Sequence, residues 1–176
     1  LVPPAMEAIL EDEFCNIDAF LGAGHVCAIM GTDSYKPLSE KYKIPIVVTG
    51  FEPLDLVQGI HMAVLQLEQG RHEVENQYVR VVRPEGNTAA KKIIEDIFEV
   101  SDREWRGIGM IPNSGYCLRE KYRSFDAEFK FGVRNIQVEE NKLCMAGQVL
   151  KGIKKPPECP MFGKECTPRN PLGAPM

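Results

Sequence analysis

The chain has 176 residues, 44% of them hydrophobic, and its 21 basic and 25 acidic residues give a formal net charge of −4. This length suits one ordinary domain, alone or with an appendage, and the apolar fraction is sufficient for a core. The charge balance and the lack of basic runs interleaved with aromatic residues argue against a nucleic-acid partner, and we recognise neither a signal peptide nor the roughly 20 apolar residues of a membrane-spanning helix.

Two helices and two strands are predicted in the first 50 residues. Apolar residues recur at helical spacing in residues 3–14 (PPAMEAILEDEF), with acidic residues on the other side. Residues 17–24 (IDAFLGAG) form an apolar run that ends in glycines, which is typical of a buried strand entering a loop. A second helix is predicted for residues 34–43 (SYKPLSEKYK), and residues 44–50 (IPIVVTG) give the clearest strand, because they are rich in β-branched residues.

The longest predicted helix covers residues 52–70 (EPLDLVQGIHMAVLQLEQG), and Gly70 is expected to end it. A wide apolar face, as in helices packed on a core, is supplied by Leu54, Val57, Ile60, Met62, Val64, Leu65 and Leu67. Residues 78–84 (YVRVVRP) and 107–112 (GIGMIP) predict strands. The helix predicted for residues 86–100 is capped by Asn87 or Thr88 and faces inward through Ile93, Ile94, Ile97 and Phe98.

This alternation of strands and helices predicts an α/β fold, with a parallel Rossmann-like sheet flanked by helices. Such sheets bind ligands beyond the carboxyl ends of their strands. The predicted strand ends fall at residues 22–25 (GAGH) and 50–53 (GFEP).

An irregular region rich in Cys, Pro and Gly follows the α/β part. We place the boundary near residues 135–142, which gives an α/β domain over residues 1–138 and a second region over residues 139–176. The second region has too few apolar residues to build a core, so it requires a metal, a disulfide or a neighbouring domain. Because the sequence begins with LVPPAM and ends with NPLGAPM, we expect it to be a piece of a longer protein.

The six cysteines fall into two sets. Cys15, Cys27 and Cys117 are scattered in apolar contexts and are expected to be reduced thiols of an intracellular chain. Cys144, Cys159 and Cys166 lie close together in sequence, and Cys159 and Cys166 frame the stretch ECPMFGKEC. This spacing is wider than zinc sites usually show, while iron–sulfur sites tolerate longer loops and a Cys-Pro pair. Spacing alone leaves three alternatives open, namely an iron–sulfur site lacking one ligand, a zinc site, and structural or redox thiols.

Polar residues at the predicted strand ends are the other candidates. Glu52 and Asp55 follow a buried strand and begin a helix, so they either complement the helix dipole or present carboxylates to a ligand. His25 is a structural residue, a ligand or a base. GAGHV lacks the third glycine and the lysine of phosphate-binding loops.

Asp126 and Glu128 are a separate pair of acidic residues. In an extended strand they would share one face. They are then either part of a solvated surface or a pair for general acid/base chemistry.

Several stretches together resemble the HypD family of accessory proteins that mature NiFe hydrogenases. They are GHV…IMG, VVTGFEPLDLVQGI, VENQYVRVVRPEGN, WRGIGMIPNSG, FDAE and CMAGQVLKG…PPECPMFGKECTPRNPLGAPM. The resemblance covers nearly the whole chain, and GFEPLDLVQGI and the cysteine-bearing tail are its most specific parts.

The resemblance implies a cytoplasmic assembly scaffold rather than a turnover enzyme. Such proteins have two related α/β domains and a smaller part that carries a 4Fe-4S cluster, which supplies or relays electrons. With the chaperone HypC they hold the iron that receives cyanide and carbon monoxide ligands, and the carbamoyl-transfer pair HypE and HypF supplies the cyanide. The alternative is a small-molecule enzyme with a Rossmann-like domain whose tail cysteines are structural or bind zinc.

The resemblance also assigns residues. Cys159 and Cys166 carry over as cluster ligands, and Cys144 lies in a family motif and is a further candidate for cofactor binding. His25, Glu52 and Asp55 lie in motifs that face the central cleft of the family and are the candidate catalytic residues. The N-terminal cysteine motifs of the family and its last cluster cysteine are not in these residues. We therefore expect an incomplete cluster site here, which binds metal weakly or forms a Cys159–Cys166 disulfide.

Overall fold

A computed structural model describes residues 1–133 and 141–173, which fall into two compact units. The sheet unit is Ile17–Asp96, and the hairpin unit combines Leu1–Asn16 with Ile97–Met176. The predicted boundary between residues 138 and 139 lies outside the described residues, so the division into residues 1–138 and 139–176 stays a prediction.

The sheet unit is built on three parallel strands in the order β1-β2-β3. They are β1 (Phe20–Ala23), β2 (Ile46–Thr49) and β3 (Val74–Asn76). Ile46, Val47 and Val48 in the central strand are all 0% exposed, as expected for a strand that is covered on both faces. Four helices accompany the strands, namely α2 (Gly24–Met30), α3 (Lys36–Tyr42), α4 (Pro53–Glu68) and α5 (Thr88–Ile97). The predicted α/β fold is confirmed.

Helix α4 packs on β1 and β2 through a face of small and polar residues rather than through its aliphatic residues. The buried positions are Asp55, Gly59, Ala63 and Gln66, whereas Leu54, Val57, Ile60, Val64 and Leu67 are exposed in the structure. A Cβ at Gly59 would collide with Thr49, so close approach of the helix to the sheet requires a glycine there. The prediction that this helix packs on the core through its wide apolar face is therefore wrong.

Two other predictions are wrong in the sheet unit. Residues 78–82 form a turn, in which the N–H groups of Val81 and Val82 both donate to the carbonyl of Tyr78. The third strand comes earlier, at Val74–Asn76. In α5, Asn87 caps the helix as predicted by accepting the N–H of Ala90 at 3.0 Å, but Ile93 is exposed and the helix has no buried residue.

The hairpin unit contains the antiparallel pair β4 (Phe98–Trp105) and β5 (Gly109–Leu118), on which α1 (Val2–Leu10) packs. The predicted strand at residues 107–112 is thus part of a hairpin and not of the parallel sheet. Ala5, Met6 and Ile9 are the buried residues of α1, and Ile111 of β5 is also buried.

The remaining described structure of the hairpin unit contains several short helices. They are α6 (Ala127–Lys130), α7 (Ala146–Leu150) and the 3-10 helices Glu120–Phe125 and Pro156–Glu158. Asp126 is not in an extended strand with Glu128, because its Oδ1 accepts the Glu128 N–H and caps α6. Among all the helices in the described part of the chain, none has the length and apolar character needed to cross a bilayer.

Candidate functional site

At the edge of the sheet where the parallel strands end, the carboxylate of Asp55 accepts hydrogen bonds from two side chains. Arg80 donates to it in a two-point pairing, with Nη1 at 2.8 Å from Oδ1 and Nη2 at 2.7 Å from Oδ2. Gln77 Nε2 donates to Oδ1 at 2.9 Å. The side chain of Asp55 is only 5% exposed. The hydrogen bonds from Arg80 and then Gln77 lower the pKa of Asp55 to about 2.

This pairing joins the helix after β2 to the loop after β3. Asp55 lies in the first turn of α4, and Arg80 lies in the turn that follows β3. The guanidinium of Arg80 also packs on the ring of Tyr78, 4.4 Å from its centroid. Gly50 at the end of β2 makes room for both partners, because a Cβ there would collide with the Asp55 carboxylate and the Tyr78 ring. The site therefore depends on a glycine in the TGFEPLD stretch.

Glu52 and His25 lie at the same edge of the sheet but are exposed. Glu52 Oε2 is 3.4 Å from Arg80 Nη2, at the outer side of the ion pair, and its side chain does not cap α4. His25 lies in the first turn of α2, after β1, and its ring is 5.1 Å from that of Phe51. The structure thus collects candidate residues from the ends of all three strands.

The charge state of its carboxylates limits the chemistry that this edge of the sheet can perform. A carboxylate that is paired with an arginine and has a pKa of about 2 stays ionised at neutral pH and is a poor base. The exposed Glu52 is the better placed of the two carboxylates to meet a ligand. Sequence reasoning missed Arg80 and Gln77, although both occur in the quoted stretch VENQYVRVVRPEGN and could have been matched with the acids of GFEPLD.

The cysteine cavity is a second candidate site, and it lies within the hairpin unit. Cys144, Cys159 and Cys166 line one mostly apolar cavity of about 30 Å³. Its other lining residues are Ala146, Val149, Pro156, Phe162 and Gly173. The structure thus brings the last three cysteines of the sequence to one place, whereas Cys15, Cys27 and Cys117 lie elsewhere.

Cys159 is the thiol whose surroundings most favour the thiolate. The nearby backbone N–H groups, first that of Met145 and then those of Met161 and Phe162, lower the pKa of this thiol, while burial opposes them. The loop is folded back by tight hydrogen bonds, including the N–H of Cys166 to the carbonyl of Met161 at 3.0 Å. A thiolate with several N–H donors is the form in which cysteine binds a soft metal.

The other two thiols of the cavity are held by the residues near position 172. Cys166 Sγ accepts the N–H of Leu172 at 3.5 Å. Gly173 packs so closely on Cys144 Sγ that a Cβ on this residue would collide with the sulfur. The stretch after Cys166 therefore closes the cavity from one side.

The three thiols of the cysteine cavity are the kind of ligand that a soft metal prefers, but they are not arranged in a coordination geometry. All six cysteines are free thiols. Within residues 1–133 and 141–173, no three His, Cys, Asp or Glu side chains are grouped closely enough to hold a metal ion. Three thiols are also one fewer than the four that iron–sulfur clusters usually need.

The remaining cysteines are not arranged for ligation. Cys27 is 0% exposed and its sulfur is 3.9 Å from the hydroxyl of Tyr35, and burial raises the pKa of this thiol. Cys117 lies on β5, where its sulfur is 3.7 Å from Glu99 Oε1. Both lie outside the cysteine cavity, and their assignment as reduced thiols stays a prediction.

Comparison with known proteins gives a consistent result. The profile of the HypD family, described as "Hydrogenase formation hypA family", matches residues 1–176. The chain is 46% identical to hydrogenase maturation factor HypD1 of Bradyrhizobium diazoefficiens over 183 residues, which covers 100% of this chain and 48% of that protein. It is 44% identical to HypD of Azotobacter vinelandii and 45% identical to HypD of Rhodobacter capsulatus, again over 48% of each. The chain spans about half the length of the curated relatives it matches.

Proposed function

The chain belongs to the HypD family, and on that premise we propose that it acts in hydrogenase maturation as part of an assembly scaffold. The relatives are named hydrogenase maturation factors, and the similarity extends over the whole chain. The observation that carries the proposal beyond the name is the cysteine cavity, because it gathers three thiols in one place, and nearby backbone N–H groups lower the pKa of one of them, Cys159.

We propose that Cys159, Cys166 and Cys144 hold a 4Fe-4S cluster, with a fourth ligand from outside the described residues. Soft thiolates suit iron–sulfur ligation, and N–H donors to the sulfurs tune its reduction potential. When bound, such a cluster supplies electrons. The chain's own contribution is to favour the thiolate of Cys159 by lowering its pKa, to close the cavity with Leu172 and Gly173, and to exclude water with Val149, Pro156 and Phe162.

The cargo in this proposal is an iron ion that receives cyanide and carbon monoxide. HypC is the proposed partner that holds the iron together with the scaffold, and HypE and HypF are the proposed source of cyanide. The sheet unit would offer its strand-end edge to this assembly. There the Asp55–Arg80 pair fixes the backbone after β2 and β3, and Glu52 and His25 are exposed beside it.

Metal analysis of the full-length protein tests the cluster. We expect iron and acid-labile sulfide in near-equal amounts after anaerobic purification, with the broad visible absorption of a 4Fe-4S centre. Stoichiometric zinc without iron would overturn the assignment.

Substitution of the cavity thiols tests the link to maturation. We expect Cys159→Ala and Cys166→Ala in the full-length protein to lose the cluster and to abolish hydrogenase activity in cells, because each removes a ligand that no neighbour replaces. Cys117→Ala is the matched control, since that thiol lies on β5 beside Glu99, and it should leave both readouts unchanged. Normal maturation by either cavity variant would remove these residues from the proposed mechanism.

A further inference from the structure

A larger cavity adjoins the cysteine cavity within the hairpin unit. It has a volume of about 230 Å³, and we call it the Arg106 cavity after one of its lining residues. It shares Cys144, Ala146 and Gly173 with the cysteine cavity, so Cys144 contributes to the walls of both. Its size suits a small organic molecule rather than a macromolecule.

The charges on the Arg106 cavity are all of one sign. Arg106 and Lys151 line it, the amide of Gln148 adds a neutral polar group, and none of its lining residues within the described parts of the chain is acidic. A concave surface with cations only concentrates anions and disfavours cationic occupants.

Each of the two cations is fixed in place by one partner. Arg106 Nη2 donates to the carbonyl of Leu172 at 3.2 Å, which leaves other guanidinium N–H groups for a ligand. Lys151 Nζ lies 2.6 Å from Asp12 Oδ2, and both side chains are mostly buried, at 26% and 22% exposure. Anchored cations lose less side-chain entropy when an anion arrives.

The backbone that forms the cavity is also held in place. A Cβ on Gly147 would collide with the carbonyl of Gly107 at the turn between β4 and β5, so α7 lies directly against this turn. Gly173 packs on the sulfur of Cys144 in the same way. The wall that carries Arg106 and the wall that carries Cys144 are therefore in direct contact.

We propose that the Arg106 cavity binds small carboxylate-bearing molecules and holds them beside the sulfur of Cys144. A guanidinium pairs with a carboxylate at two points, and Lys151 adds a second positive charge. The proposal stands apart from the cluster, because it rests on the lining residues and their charges and not on ligation by Cys144.

Alkylation of the metal-free full-length protein with two matched reagents tests the proposal. Iodoacetate is anionic and iodoacetamide is neutral, and with both the Cys144 thiolate displaces iodide and forms a thioether. The ratio of the two rates at one cysteine cancels its thiolate fraction and its exposure. Peptide mass spectrometry gives this ratio for each thiol.

We expect the iodoacetate-to-iodoacetamide ratio to be at least about tenfold higher at Cys144 than at Cys117, because two cations face the first and the Glu99 carboxylate faces the second. Arg106→Gln should lower the ratio at Cys144 about fivefold, and Arg106→Lys should restore most of it. Asp12→Asn should raise it, because it removes the counter-ion of Lys151.

Equal ratios at Cys144 and Cys117 would overturn the proposal, and so would a ratio at Cys144 that Arg106→Gln leaves unchanged. Unaltered circular dichroism and an unaltered ratio at Cys117 show that a variant has kept its fold. The alkylation ratio is measured without iron. The carboxylate-binding proposal can therefore fail while the cluster proposal survives, and the cluster proposal can fail while the carboxylate-binding proposal survives.

Discussion

The Asp55 carboxylate illustrates how the folded chain fixes a charge. It accepts two hydrogen bonds from Arg80 and one from Gln77, and these lower its pKa from the ordinary 3.8 to about 2. Because the folded protein binds the Asp55 proton less tightly than the unfolded chain does, ionisation of Asp55 favours folding. The stabilisation is complete above about pH 4 and is lost as the pH falls toward 2.

We predict from this that Asp55→Asn lowers the free energy of unfolding at pH 7 and that the deficit shrinks between pH 4 and 2. Denaturant midpoints of the wild type and the variant across this range measure it. Asp33→Asn is the matched control, because Asp33 pairs with Lys36 at the surface with both side chains 57% exposed, and it should change little. A deficit that does not depend on pH would show that the charge of Asp55 is not what Arg80 stabilises.

Helix α4 shows what hydrophobic periodicity can and cannot determine. The length of this helix and its C-terminal end near Gly70 follow from the sequence. In the structure Gly70 comes just after the helix and has a φ of 64°. The orientation of the helix does not follow from the apolar pattern. The sheet selects the face with Gly59 and Ala63 because small residues let the backbones approach, and this turns Val57, Ile60, Val64 and Leu67 outward.

We therefore predict that Val64→Gln on α4 changes the free energy of unfolding by less than about 0.5 kcal/mol, as surface substitutions do. Val64 is 44% exposed. The comparison variant is Val47→Ala in β2, where the side chain is 0% exposed and its loss should cost about 2 kcal/mol. Chemical denaturation of both variants measures the difference, and equal costs would show that the apolar face of α4 is buried.

The candidate sites were only partly accessible from sequence. Cysteine spacing and the family motifs brought Cys144, Cys159 and Cys166 to attention, but the N–H groups that act on Cys159 belong to the backbone and carry no side-chain signal. Arg80 was hidden for another reason. The run YVRVV alternates like a strand, and only the turn at residues 78–82 brings its arginine back to Asp55.

At the scale of the whole molecule, only one of the two units is built from a single continuous stretch of the chain. The sheet unit is one stretch of chain, whereas the hairpin unit combines the first 16 residues with those from Ile97 onward. Helix α1 covers β5 with Ala5, Met6 and Ile9. A sequence-based boundary cannot find this arrangement, because long-range pairing leaves no local mark.

We predict that deleting residues 1–10 speeds amide hydrogen exchange in β5 and leaves the protection of β2 unchanged. The deletion removes the buried face of α1 from the hairpin, while Ile46, Val47 and Val48 belong to the other unit. Exchange followed by mass spectrometry resolves the two strands. Parallel loss of protection in both would show that the units unfold as one.

The divided hairpin unit also sets an order of events during synthesis. Helix α1 leaves the ribosome long before β5, whose residues Gly109–Leu118 form the surface that it covers. At ordinary translation rates the delay is roughly 5 to 20 s for about 100 residues. The sheet unit is complete in the meantime, so the nascent chain carries a folded sheet unit together with the apolar helix α1, whose partner strand has not yet been made. Chaperones that bind short apolar segments have that interval in which to act.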